Sequence, residues 1–261
     1  MRYWFGDESD VVFPWAEDEV GGADPEILNM PDGINFERIA ALEPDLILGV
    51  YSGMTARDYE LLSQIAPTVA QTDEHIDYGT PWQEHTLTVG KALGREDQAR
   101  KLVADLEARF DEFRAAHPEW NGRSAVVATY GEDGKFSAFA SEDPRARFFT
   151  SLGFEVPAEI DQLAGDQFYT EISAEQVGLL DADLLLWDQL SYVPGGRATV
   201  EGNPLVGQLD AMQDDRALFL PEDLEFAFAF NTVLSLPFLL DGIVPMIEAA
   251  TDDDPATVPG N

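Results

Sequence analysis

From about residue 33 onward, apolar positions along the chain alternate between helical and strand rhythms. Residues 33–42 put Phe36, Ile39 and Leu42 on one helical face, with Asn35 placed as N-cap and Pro44-Asp45 as the stop. Leu46-Ile47-Leu48-Gly49-Val50 is a continuous apolar run and predicts a buried parallel strand. Leu61, Leu62 and Ile65 mark the next helix, ended by Pro67, and Thr68-Val69-Ala70 a second short strand. A helix over 81–93 follows, closed by Gly94. A longer one over 95–116 carries Ala99, Leu102, Val103, Leu106, Phe110 and Phe113 as its stripe. At ~1.5 Å per residue it is about 33 Å long.

The pattern then restarts. Residues 124–129 (SAVVAT) read as a strand with 136–140 as its neighbour, and Asp143-Pro144 opens a helix through Phe149 and Leu152 with Gly153 as its C′ residue. Ser173 is placed to cap a helix holding Glu175 in a capping-box-like position, ahead of a strand over 182–187 (ADLLLW). Residues 205–212 predict a helix and 217–220 a strand. An apolar helix over 231–250, bent at Pro237 and Pro245, completes the reading. Residues 1–30 are acidic, aromatic and rich in Gly and Pro, and read as loop; the tail 251–261 reads as disordered. Helix and strand in alternation make the class α/β. One echo stands out: residues 34–48 (INFERIAALEPDLIL) and 172–186 (ISAEQVGLLDADLLL) share a layout, with Glu37 and Glu175 early in each helix. The helix dipole alone favours a glutamate there.

Composition narrows the function. Fifty acidic against 15 basic side chains give a formal charge of −35, which repels nucleic-acid phosphates and anionic membrane faces. At 45% hydrophobic residues the chain is too apolar to be disordered, yet no run reaches the ~18 residues that cross a bilayer. Cysteine is absent, so disulfides, thiolate metal sites and cysteine nucleophiles are out. No apolar leader follows Met1, which by itself reads as a cytoplasmic chain or a mature one without its leader. Nucleophile-elbow, phosphate-loop, zincin and dinucleotide motifs are missing; His117 reads as a surface residue at a helix end, and His75 and His85, ten residues apart in an acidic stretch, leave a His/carboxylate metal site as the minor reading.

Aromatic residues point to a ligand instead. Strand ends of an α/β lobe open on a crevice, and here they carry Tyr51, Tyr130 and Trp187, with Tyr192 just beyond. Trp4, Trp15 and Trp82 lie in loops or at a helix start. Arg145 and Arg147 follow the turn at 141–144, and Arg145, nearer the strand ends, is the better placed to offer a guanidinium; Arg57 and Arg197 are further loop candidates. Each of these is equally a packed aromatic or a solvated arginine when taken alone.

The segments GINFERIAALEPDLILGVYSG, LLSQIAPTV and TPWQEHTLTVGKALGRE, with DPRARFFTSLGFEVP, ISAEQVGLLDADLLLW and LSLPFLLDGIVPMI in the second half, resemble the iron–siderophore substrate-binding proteins of bacterial ABC importers. The resemblance implies two α/β lobes with mostly parallel sheets, residues 1–94 and 118–250, joined by one long rigid helix over 95–117. It implies export, with the chain in the periplasm or lipid-anchored at the cell surface. A monomer would capture a ferric siderophore between the lobes and deliver it to an ABC permease dimer. Catalysis, a cofactor and a protein metal site are not expected, because the siderophore supplies the hard oxygen ligands of iron. Ligand contacts are expected from Trp4, Trp15, Tyr51, Trp82, Tyr130, Arg145, Arg147, Trp187 and Tyr192, and permease docking from Glu37 and Glu175. The opening strand, helix and strand of that family are missing here, as is the lipid-anchor cysteine, so the first lobe is expected to be incomplete. So negative a chain favours a neutral or cationic hydroxamate over a trianionic catecholate. The alternatives are a cobalamin or haem receptor of the same fold, or an α/β enzyme working through carboxylates.

Overall fold

The computed structural model describes residues 13–23, 25, 26, 28, 33–131 and 134–252. By its internal contacts the chain divides into two units, Met1–Arg100 and Lys101–Asn261. In the first, a 3₁₀ turn (Pro14–Ala16) runs into α1 (Glu17–Val20). Then come α2 (Phe36–Ala41), β1 (Ile47–Gly49), α3 (Ala56–Leu62), β2 (Thr68–Ala70) and α4 (Trp82–Ala92). Asn35 caps α2 as its position predicts, its side chain accepting Arg38 N–H at 2.9 Å. Thr55 and Asp58 close a reciprocal capping box on α3 at 3.0 and 3.2 Å. β1 and β2 pair in parallel, Ile47 opposite Thr68 and Gly49 opposite Ala70. The buried strand expected over 46–50 is only half covered: Leu48 is 43% exposed, and Val50 is the residue that sinks into the core. Among the described residues β1 has β2 as its one partner strand, so its other edge is not paired.

α5 (Glu96–Ala116) contains the division between the units. Its buried positions, Ala99, Val103, Leu106 and Phe110, step by 4, 3 and 4, whereas Leu102 stays exposed. Leu102 was expected on the stripe; one residue before Val103, it sits on the stripe's flank.

The second unit is built on a five-stranded sheet ordered β5-β4-β3-β6-β7. β3 (Ala125–Tyr130), β6 (Leu184–Trp187) and β7 (Ala217–Phe219) are parallel, and β4 (Phe136–Phe139) and β5 (Tyr169–Ile172) extend the sheet antiparallel. All residues of β6 and β7 are buried, as a sheet covered on both faces requires. α6 (Pro144–Ser151), α7 (Ala158–Ala164), α8 (Arg197–Glu201), α9 (Asp210–Gln213), α10 (Glu222–Phe230) and α11 (Ser235–Thr251) complete the unit.

Several expected helices differ. Residues 174–180 wind as a 3₁₀ helix, and Ser173 makes no cap bond: its hydroxyl goes to Gln176 Oε1 at 3.0 Å. The helix expected over 205–212 is broken at Leu209 into a 3₁₀ turn and α9. The apolar helix expected over 231–250 is α11, which starts at Ser235, and an unexpected helix, α10, precedes it and ends at Asn231, left-handed at φ 45°. Thr251, expected in the tail, is instead helical and buried and receives the indole N–H of fully buried Trp120 on its Oγ1 at 3.0 Å, and the rest of the expected tail, from 253, lies outside the described residues.

Close helix packing in the first unit makes a test. A Cβ added at Gly90 of α4 would lie 2.3 Å from the Cβ of Ala99, an atom fixed to its backbone. The clash outweighs the ~1 kcal/mol gain in helix propensity. Gly90→Ala should therefore lose about 1–2 kcal/mol in urea unfolding. Gly178→Ala, with nothing near its added Cβ, should not.

Candidate functional site

Parallel strands aim their carboxyl ends at a common edge, and the segments leaving β6 and β7 form the wall of a cavity there. Leu190 and Ser191 follow β6, Phe219 ends β7, Glu222 and Glu225 come from α10, and Arg197 starts α8. The cavity measures about 720 Å³, within the range of small-molecule sites. Arg197 lays its guanidinium over the Phe219 ring, 4.3 Å from the centroid, and its Nε–H donates to Glu201 Oε1 at 2.8 Å. Glu225 is 3% exposed and accepts the Ser191 N–H at 3.3 Å together with the Ser191 hydroxyl. Burial pushes its carboxyl above the ordinary range.

Behind this wall lies a buried ionic cluster. Arg145 donates Nε–H and Nη2–H to the two oxygens of Asp143, both at 2.8 Å, and Nη1–H to Asp188 Oδ2 at 3.3 Å. Its guanidinium also stacks 3.5 Å from the Phe139 ring centroid. Asp143 caps α6 through Arg145 N–H at 2.8 Å, the cap that Asp143-Pro144 predicts. Asp188 is pushed up to about 7: complete burial outweighs the attraction of Arg145, and Glu225 adds repulsion. Among the described residues its Oδ1 has no hydrogen-bond partner.

Burial and pairing bear on two of the expected ligand contacts, Trp187 and Arg145. Trp187 is fully buried, part of the sheet's core against Phe136 at 6.1 Å, and offers no face to a ligand. Arg145 is held by two carboxylates and a ring. Arg147 is bonded to Glu142 Oε2 at 2.8 Å on the surface. Tyr130 is half-buried, packs on Phe136 at 5.1 Å and takes Asn203 Nδ2 at 3.4 Å. Tyr192, 42% exposed, ends the 3₁₀ turn that holds Leu190 and Ser191. In the first unit, Tyr51 meets Tyr78 edge-on at 5.6 Å and stacks on His85 at 6.4 Å, while half-buried Trp82 opens α4 three residues before His85. Burial lowers the His85 pKa. Trp15 stacks on Phe13 at 4.8 Å. Trp4 lies outside the described residues. Glu37 and Glu175 are both exposed. Among the described residues, no cluster of three or more His, Cys, Asp or Glu could hold a metal ion, and no helix is long and apolar enough to cross a membrane.

A crevice at strand ends in a unit of this topology is the setting of a binding protein, and the family model described as periplasmic binding protein matches residues 2–224. The chain belongs to the periplasmic binding protein family. A periplasmic solute-binding protein of Mycobacterium smegmatis shares 32% identity at TM-score 0.81, over 95% of this chain and 84% of that one. The ferrichrome complex of PiaA from Streptococcus pneumoniae shares 28% at TM-score 0.79, over 97% and 86%. The ferric-anguibactin-binding protein FatB of Vibrio anguillarum is 28% identical over 221 residues, 80% of this chain and 66% of FatB, so the chain spans just under two thirds of that relative.

Within this family member, Ser191, Phe219 and Glu225 were not legible as site residues, and Arg197 stood only among loop candidates. One signal was available: Glu225 interrupts the apolar run LEFAFAF, and a carboxylate in such a run is costly to bury unless it has work to do.

The ionic cluster sets a pH dependence. As pH rises, the unfolded chain releases the Asp188 proton near 3.8, while the folded chain holds it to about 7. Folding binds a proton between these values, so the group's contribution to stability is full below the lower one and is lost as pH climbs through the upper. Asp188→Asn, which leaves Arg145 paired with Asp143, should flatten the fall in stability between those two values. Urea titrations showing the parent's slope unchanged in the variant would refute this account.

Proposed function

We propose that this chain is the extracytoplasmic, non-catalytic capture component of an iron importer. It binds a ferric siderophore, of hydroxamate type, and hands it as a monomer to an ABC permease. One observation carries the reading: a roomy cavity at the strand ends of the second unit, where the Arg197 guanidinium lies flat on Phe219 with the apolar Leu190 nearby. A ferric chelate needs such a surface, a cation for its iron-bound oxygens and a flat apolar face for its body. The ligands named for FatB and for the PiaA complex are both ferric chelates, which supports the assignment. Tyr192 and Tyr130, in the same unit as the cavity, are the further aromatic contacts of this proposal. Glu37 and Glu175, exposed on α2 and on the 174–180 turn, are its permease-docking residues.

Tryptophan quenching with ferric hydroxamates, ferric catecholates, haem and cobalamin tests the ligand class. Tight binding of haem or cobalamin alone would assign the cavity to a receptor of another kind. Arg197→Ala should weaken a ferric hydroxamate about tenfold to a hundredfold, the size of one charge-assisted contact with its packing. An unchanged affinity would move the ligand elsewhere. Glu37→Ala and Glu175→Ala should each leave that affinity intact and reduce uptake by cells, since exposed charges set encounter and register with a partner. Normal uptake by both variants would remove the docking assignment.

A further inference from the structure

Charge is unbalanced at the wall of the strand-end cavity and in the buried cluster behind it. Three carboxylates are taken almost wholly out of water there: Asp143 and Asp188 keep 1% of their surface and Glu225 3%. A single guanidinium, Arg145, serves the first two. Glu225 makes no ion pair with Lys, Arg or His among the described residues; its hydrogen bonds come from Ser191 and from the Leu190 backbone. Glu222, one turn earlier on α10, adds a second carboxylate to the same lining. Arg197 is the cation of that lining among the described residues, and it already donates to Glu201. Two acids thus face one base that a third acid shares, with Leu190 and Phe219 making the surroundings apolar. A carboxylate buried without a cation is costly, and an arriving ligand that brings the missing positive charge recovers that cost.

Resting on the ferric-chelate reading above, we propose that the cavity selects a ferric chelate carrying a protonated amine, with Glu225 as its counter-charge and specificity-determining residue and Glu222 lending a second negative charge. The apolar body of the chelate packs on Phe219 and Leu190, its iron-bound oxygens meet Arg197, and its ammonium donates to the Glu225 carboxylate. A neutral chelate of the same shape keeps the apolar contacts and leaves the carboxylate uncompensated. A trianionic chelate adds repulsion, so discrimination has an attractive and a repulsive side.

Two probes of one chemistry decide the matter: the ferric complex of a linear trihydroxamate with a free terminal amine, and the same complex after N-acetylation. In quenching titrations of the full chain at neutral pH, the amine form should bind about tenfold more tightly. Glu225→Gln keeps the shape and an acceptor for Ser191. It should weaken the amine form about tenfold and leave the acetylated form within about twofold, erasing the preference. If Glu225→Gln does not fold, exposed Glu222→Gln takes its place and should narrow the preference about threefold. Equal binding of the two probes by the parent chain, or a preference untouched by these substitutions, overturns the amine selection and leaves the chelate reading standing. Binding of neither probe removes both.

Discussion

A guanidinium shared by two carboxylates that have lost their water fixes the working edge of the second unit. Arg145 holds Asp143 with two bonds and Asp188 with one, and covers the Phe139 ring. The end of β4, the first turn of α6 and the end of β6 are thereby tied at one point. Beyond Asp188 the chain turns through Gln189, left-handed at φ 61°, into the 3₁₀ turn that carries Leu190 and Ser191 into the cavity wall. Such clusters are weak sources of stability, because desolvation cancels most of the attraction. Their value lies in geometry: buried charges tolerate few arrangements, so the turn after β6 is held in one.

The division of labour between the two arginines follows from burial. Arg145 keeps 11% of its side chain exposed and spends its donors inside the protein, whereas Arg197 keeps 45% and stands at the cavity. Sequence position suggested the opposite, since Arg145 follows a capping Asp-Pro near the strand ends. Nothing local in the sequence shows that Asp188, 43 residues away, reaches the same guanidinium.

Local signals were read well where local chemistry decides: the Asn35 and Asp143 caps, the β3 and β6 strands, the long α5 and the α/β class all follow from short-range pattern. The failures share a cause. β6 is buried on both faces, so its residues carry no alternation to say which side chain turns toward a crevice, and Trp187 went to the core. The run EDLEFAFAF has no amphipathic period either, so the helix it forms carries no signal in the sequence. With it went Glu225, whose environment is made by Ser191 and Asp188, residues distant in the chain. An apolar run such as 46–50 likewise reads as buried on both faces, although Leu48 is 43% exposed.

The contact between Trp120 and Thr251 also sets an order of events. The two side chains are 131 positions apart, and they bring the last turn of α11 against an indole that precedes the central strand β3. β3, β4 and β5 can pair as a local antiparallel set soon after they are made. The Trp120 site cannot close until the end of α11 is present. Sequence distance here becomes waiting time. During synthesis or passage through a narrow channel, the second unit stays an open sheet with an apolar face, and its core is sealed only when its final helix arrives.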